Sequence, residues 1–146
     1  MRKVEWISQR CDPKTLVAHQ LMEDEITTCF SEDTALTVAH RLYDGNIGSL
    51  PVVGPEKTLI GIVTEFDLLQ AIEVGKNLRD TPVSTIMSTK VMTVTEQTPF
   101  MEIVGLLQQH HLIRVPVVRG NTLIGILARG DIMLGYIKAT DVGSGG

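Results

Sequence analysis

Cysteine is scarce in this chain: two residues in 146, Cys11 and Cys29, with no Cys-x-x-Cys spacing. That excludes a disulfide scaffold, and both are expected as plain reduced thiols. The four histidines, His19, His40, His110 and His111, fit no zinc pattern. His110 and His111 are adjacent and diverge on a helix, so no metal site is expected. Aromatic residues number only three Phe, two Tyr and one Trp, which leaves few platforms for stacking single-stranded bases. With a net charge of -4 the chain also lacks the basic face that a phosphate backbone demands, and no nucleic-acid partner is expected. No apolar run approaches the roughly 18 residues of a membrane span, and Met1 to Trp6 lack the apolar stretch of a signal peptide. The expectation is a cytoplasmic protein that makes no membrane contact. Catalytic constellations are missing too: there is no Gly-x-Ser-x-Gly, no Walker-type phosphate loop, no Gly-x-Gly-x-x-Gly and no His-Glu-x-x-His. Carboxylate runs such as Glu23-Asp24-Glu25 and Glu32-Asp33 read as solvated connections. No catalytic residue is assigned and an enzyme is not expected.

What the chain does contain is a duplication. Leu50-Pro51-Val52-Val53 followed by Thr58-Leu59-Ile60-Gly61-Ile62-Val63-Thr64-Glu65-Phe66-Asp67 returns as Val115-Pro116-Val117-Val118 and Thr122-Leu123-Ile124-Gly125-Ile126-Leu127-Ala128-Arg129-Gly130-Asp131. Upstream, Met22, Ile26, Leu36 and Leu42 recur as Met87, Val91, Met101 and Leu107, each 65 positions on. Two copies of one supersecondary unit are expected to bury their apolar faces together and leave a cleft between near-symmetric halves, where ligands tend to bind. The length suits one compact domain, and 43% hydrophobic with 21% charged residues is ordinary for a globular chain.

Each copy reads as β-α-β-β-α, an α/β (α+β) architecture in layers. In the first, Asp33 or Ser31 is expected to cap a helix with the apolar stripe Leu36, Ala39, Leu42 and Tyr43. In the second, Thr98 caps and Pro99 takes the first helical position, with the stripe Met101, Val104 and Leu107. Strands follow at 49–53 and 114–118, and second strands at 59–63 and 123–127 lead into helices 65–73 and 129–137. The β-prone segments 26–30 and 91–95 are each expected to add a short strand. The boundaries are an N-terminal extension 1–15, repeats 16–75 and 76–140, and a flexible tail 141–146.

Three places could carry binding chemistry. Gly61 clears the space beside its strand, so a ligand ring could approach the backbone. Thr64 and Asp67 sit three apart at a strand-to-helix junction. That spacing is a capping box, in which Thr64 binds the Asp67 amide and the acid favours the helix dipole. The same geometry lets an aspartate take both hydroxyls of a ribose while exposed amides and a hydroxyl hold a phosphate. In the second copy Ala128 replaces the threonine, Arg129 replaces Glu65, and Asp131 remains, so the two clefts should differ. Arg114 opens a buried strand where the first copy has Ser49; it either snorkels to solvent or faces an anion.

Taken together, two copies of helix, hydrophobic-Pro-Val-Val, turn, Leu-Ile-Gly-Ile and an Asp-bearing helix start resemble a tandem pair of cystathionine-β-synthase (CBS) domains, the Bateman module, over Leu16 to Ile137. The resemblance implies a pseudo-two-fold pair with two clefts for adenosine derivatives: AMP, ADP, ATP or S-adenosylmethionine. It groups Thr64 (phosphate) and Asp67 (ribose) with Val91, Met92 and Thr93 near the base, and with Ile113 and Arg114. It groups Asp131 (ribose) and Arg129 with Ile26, Thr27, Thr28, Gly48 and Ser49. Ala128 puts phosphate binding there in question unless Arg129 compensates. The implied function is a regulatory module that requires no cofactor, binds an adenine nucleotide and acts through a homodimer or a protein partner. The alternative is a ligand-free dimerisation domain.

Overall fold

A computed structural model describes residues 1–141, and the expected tail beyond Asp141 lies outside the described residues. In chain order the elements are α1 (Ala18–Leu21), β1 (Cys29–Phe30), α2 (Ala35–Gly45), β2 (Ser49–Val53), β3 (Leu59–Thr64), α3 (Glu65–Glu73), β4 (Val94–Thr95), α4 (Phe100–Gln109), β5 (Arg114–Arg119), β6 (Thr122–Ala128) and α5 (Arg129–Asp141). The β-α-β-β-α order is present in each repeat. The strands form two three-stranded sheets, β1-β2-β3 and β4-β5-β6, each with one parallel and one antiparallel pair.

The compact units cut across the sequence repeats. One spans Thr27–Val91; the other joins Met1–Ile26 to the segment from Met92 onward. Each sheet therefore packs with the segment that precedes the other repeat, and the hydrogen bonds show how. Ile62 and Ser88 exchange N–H···O bonds of 2.9 Å in one unit, and Ile126 and Glu23 do the same in the other. The amide of Ala35 at the head of α2 donates to the Thr81 carbonyl at 2.8 Å, and that of Phe100 at the head of α4 donates to Leu16 at 2.9 Å. Methionine seals each junction over a glycine. A Cβ on Gly61 would lie 2.8 Å from Met87 Sδ and 2.9 Å from the Ser88 carbonyl oxygen; on Gly125 it would strike the Met22 thioether.

The cores follow. Leu50, Val52 and Val63 of one sheet bury against Ala35, Val38 and Leu42 of α2, Leu68 of α3 and Val83. Val115, Val117 and Leu127 of the other bury against Ile103 and Leu107 of α4, Ile132 of α5, and Val4, Leu16, Leu21 and Met22 of the N-terminal segment. At roughly 1.5–3 kcal/mol per fully buried large apolar side chain, these clusters dominate each unit's stability.

Several expectations are corrected. The strands at 26–30 and 91–95 shrink to their last two residues. Register pairs Cys29 with Val52 and Val94 with Val117, so the next rung falls on Pro51 or Pro116. Proline has no N–H to donate, and the parallel ladder stops there. The cap of α2 is Thr34, whose hydroxyl accepts from the Thr37 amide at 3.2 Å, not Asp33 or Ser31. Pro99 is the N-cap of α4 rather than its first helical residue, and Thr98 does not cap. Instead Asp33 and Thr98, equivalent in the repeats, each turn back to accept from the amide three residues earlier, Phe30 at 2.8 Å and Thr95 at 2.9 Å. Of the expected helix stripes, Leu42 and Leu107 are buried and Ala39 and Val104 pack against the cores, but the outer members are not in them. Tyr43 and Met101 are 87% and 51% exposed, while Ala35, Val38, Phe100 and Ile103 face the core.

Cys11 is exposed and Cys29 is buried. Burial, reinforced by the charge of Asp33, pushes the Cys29 thiol up from 9.0 to about 11. The folded chain thus holds this proton to higher pH than the unfolded chain. The stabilisation is complete below pH 9 and is lost as pH rises through 11. Wild type should lose on the order of 1–3 kcal/mol more over that interval than Cys29→Ala, measured by urea unfolding at stepped pH. A second set of unfolding curves tests the junctions. Gly125→Ala should cost ~1–3 kcal/mol by overpacking. It should combine less than additively with Met22→Ala, because two of the three atoms nearest the new methyl are the Met22 Sδ and Cγ that this change removes. Gly61→Ala should keep most of its cost in Met87→Ala, since the Ser88 carbonyl still blocks it.

Candidate ligand-binding site

Each unit has a corner where the antiparallel strand pair meets the start of a helix, and Gly48, Ser49, Thr64 and Asp67 stand at one, Ile113, Arg114, Arg129 and Asp131 at the other. In the Thr27–Val91 unit, Ser49 at the head of β2 stands opposite Thr64 at the end of β3. The Gly48 carbonyl accepts from the Glu65 amide at 3.0 Å. Glu65 leans over Gly48, where a Cβ would lie 3.1 Å from its Oε1. At the head of α3 the capping box is closed. Asp67 Oδ2 accepts from the Thr64 amide at 2.8 Å and from its hydroxyl at 3.1 Å, and the Asp67 amide donates to Thr64 Oγ1 at 3.3 Å. Both bonds to the carboxylate use Oδ2; Oδ1 takes neither. Asp67 is half-buried and lines a cavity of about 220 Å³ with Gln70, Ala71, Val74, Lys76, Thr85 and Ile86. Of the residues grouped with Asp131, Thr27 is exposed and Thr28 half-buried, its carbonyl accepting from Arg41 at 3.0 Å.

The other unit repeats the backbone and changes the chemistry. Arg114 at the head of β5 stands opposite Ala128 at the end of β6, and the Ile113 carbonyl accepts from the Arg129 amide at 3.0 Å. Asp131 again receives the amide three residues earlier, from Ala128 to Oδ2 at 2.8 Å. Its other oxygen is also taken: Arg2 Nε donates to Oδ1 at 2.6 Å. Asp131 is 4% exposed. Its hydrogen bond raises the pKa of the Arg2 guanidinium above the ordinary value. Burial lowers that of Arg114, while the charge of Asp131 acts in the opposite sense. Arg129 is exposed in the same turn, as are Met92, Thr93 and Ile113; Ile26 is half-buried.

The structure thus brings together Thr64, Asp67, Gly48 and Ser49 in one unit, and Ile113, Arg114, Arg129 and Asp131 in the other. Each corner holds residues that the resemblance divided between two clefts. Val91 belongs to the Thr27–Val91 unit, and Met92 and Thr93 to the other. Sequence reasoning missed Arg2, which lies 129 positions from its acid and in no motif. It also missed Gln70 and Lys76 beside Asp67. Among the described residues no helix is long and apolar enough to cross a membrane, and no His, Cys, Asp or Glu group could hold a metal ion.

Comparison with known proteins agrees with this fold. Protein YlbB of Bacillus subtilis (strain 168), itself uncharacterized, is 34% identical over 115 residues, 78% of this chain and 78% of YlbB. The structure of CBSX2 in complex with AMP matches with a TM-score of 0.77 at 23% identity, over 84% of this chain and 96% of that one. The CBS domain pair of MJ0100, in complex with 5-methylthioadenosine and S-adenosyl-L-methionine, matches with a TM-score of 0.74 at 24% identity, over the same shares. At those identities the likeness is one of fold. The CBS domain family model matches residues 17–74 and 83–138, one segment per repeat. With both repeats matched and most of the chain covered, this protein belongs to the CBS domain family.

Proposed function

We propose that this chain is a cytoplasmic, non-enzymatic regulatory module that binds an adenine nucleotide, AMP, ADP or ATP, and passes occupancy on through contacts with a second copy or a partner. The observation that carries the reading is Asp67, held by its cap bonds at the head of α3 with one carboxylate oxygen outside them. A fixed carboxylate suits the vicinal hydroxyls of a ribose. In the same reading Thr64 and Arg114 serve the phosphates, and Val91, Met92, Thr93 and Ile113 lie near the base. Ile26, Thr27, Thr28, Gly48, Ser49, Arg129 and Asp131 form the second set. The adenosyl ligands held by CBSX2 and MJ0100 support an adenosine compound, and the latter keeps S-adenosylmethionine as the variant ligand.

The homodimer is proposed from the outward helix faces. In one unit Phe66, Leu69 and Ile72 of α3 are 81%, 60% and 55% exposed. In the other a groove of about 370 Å³ is lined by Met101 and Val104 of α4 with Met133 and Tyr136 of α5. Surface of this kind marks interaction sites, and a two-fold pairing of like faces is the common solution.

A second reading, a ligand-free dimerisation scaffold, is favoured by the closed capping box at Thr64 and Asp67. One titration decides between them. Wild type should show a thermal shift with AMP or ATP, and Asp67→Ala should weaken binding about 10- to 100-fold, the loss of one or more charge-assisted hydrogen bonds at ~1.5–3 kcal/mol each. Arg114→Ala should weaken ATP more than adenosine in isothermal calorimetry. No shift with any adenosine compound supports the scaffold, and equal losses for ATP and adenosine remove Arg114 from the phosphate role.

A further inference from the structure

The two acids at the helix heads are not in the same state. Asp67 keeps Oδ1 outside its cap bonds, and among the described residues no cation pairs with it. Asp131 has Oδ2 on the Ala128 amide, Oδ1 on Arg2 Nε and almost no exposed surface. The arm that carries Arg2 is held by an isolated β-bridge before it turns into a short 3-10 helix at Lys3–Trp6. Arg2 bridges antiparallel to Glu23, which bridges in turn to Ile126 of β6. Lys3 N–H donates to the Met22 carbonyl at 2.9 Å, Asp24 N–H donates to the Met1 carbonyl at 3.1 Å, and Val4 is fully buried. From that arm the guanidinium passes over Gly130, whose Cβ position would be in ordinary contact with Arg2 Nη2 at 3.7 Å. The arm's main chain is fixed on both sides of Arg2, but the Arg2 side chain is 38% exposed, and its ion pair with Glu5 is a surface contact at 3.5 Å.

We propose that Arg2 is an intramolecular plug, a side chain of the protein's own N-terminal arm occupying the carboxylate that the second repeat would offer to a sugar diol, so that in this state only the first repeat's acid is open to ligand. The inference rests on the adenosine reading above and adds to it a one-sided occupancy and a residue that sets it. With the Ala128 amide on Oδ2, Arg2 on Oδ1 and only 4% of the residue exposed, the Asp131 carboxylate has no open face for a pair of ribose hydroxyls while Arg2 is in place. Opening the second site requires Arg2 to leave, and the part-exposed side chain can do so without unfolding the sheet.

The test compares wild type with Arg2→Met, which keeps an apolar stem for packing and removes the fork. Calorimetric titration with AMP and with ATP should give one site per chain in wild type and two in Arg2→Met, the second disappearing in Arg2→Met/Asp131→Ala. One site in both proteins, or weaker binding in Arg2→Met, overturns the plug; the weaker binding would make Arg2 a ligand contact instead. A second readout needs no ligand. Carboxyl labelling with a carbodiimide and glycine ethyl ester, read by peptide mass spectrometry, should modify Asp131 at least fivefold faster in Arg2→Met than in wild type, with Asp67 unchanged. Equal labelling of Asp131 overturns the plug even if no adenosine compound binds either protein, an outcome that would separately remove the adenosine reading. Should Arg2→Met fail to fold by circular dichroism, the same labelling comparison is made with Arg2→Lys.

Discussion

Neither sheet is finished by its own repeat. The free edge of β3 is covered by Ser88, and that of β6 by Glu23, each through a reciprocal pair of 2.9 Å bonds. Unpaired sheet edges invite association, and here each is paired with the stretch that leads into the other copy. The same stretch supplies a carbonyl to the orphan amide at the head of the long helix, Thr81 for α2 and Leu16 for α4, in place of the bond an isolated helix would leave to water. Methionine then fills the space a glycine leaves. A single repeat with its own leader lacks the donor carbonyl, the edge strand and the thioether at once. Each unit is thus completed by a stretch outside its own repeat, Thr81, Met87 and Ser88 in Thr27–Val91 and Leu16, Met22 and Glu23 in the other.

A symmetric backbone with asymmetric side chains follows from that arrangement. The corner at Asp67 carries a second acid, Glu65, a threonine hydroxyl and Ser49. The corner at Asp131 has Arg129, an alanine and Arg114 at the same places, with Arg2 added from the arm. One corner is net acidic around its carboxylate and the other net basic. Coulomb energies at these separations, even softened by water, are enough to sort ligands by charge. Two copies of one fold can in this way present two different specificities without any change in the main chain.

Strand β2 and helix α3 were legible in the sequence to the residue, because proline, glycine and the capping threonine are local signals written where the element begins or ends. The faces of α2 and α4 were not. Each helix carries one large apolar residue outside its buried face, Tyr43 in α2 and Met101 in α4, and periodicity drew these into the stripe in place of Val38 and Ile103. The lengths of β1 and β4 depend on a proline two strands' worth of sequence away, so propensity overestimated them. The pairing of Thr64 with Asp67 was legible as spacing, since three residues at a helix start have one geometry. Arg2 on Asp131 was not, because nothing local to Met1–Arg2–Lys3 announces a partner beyond β6. Side chains that act across long sequence distances are the part of a site that pattern reading loses.

The helices that begin at the two acids also carry the outward apolar faces. In α3, Asp67 is followed by Leu69 and Ile72; in α5, Asp131 is followed by Met133, Tyr136 and Ile137. An acid in the first turn of a helix fixes its entry angle through the cap bond to the residue three before. A ligand that competes for that carboxylate, or adds to it, acts on the pivot of the helix. The apolar residues lie about half a turn to two turns further along, about 1.5 Å per residue from the pivot, so a small rotation at the cap moves them together. Such a ligand shifts the pairing of those faces only by the difference in its affinity for the two arrangements. On this reading the coupling from site to surface runs along a single helix in each unit.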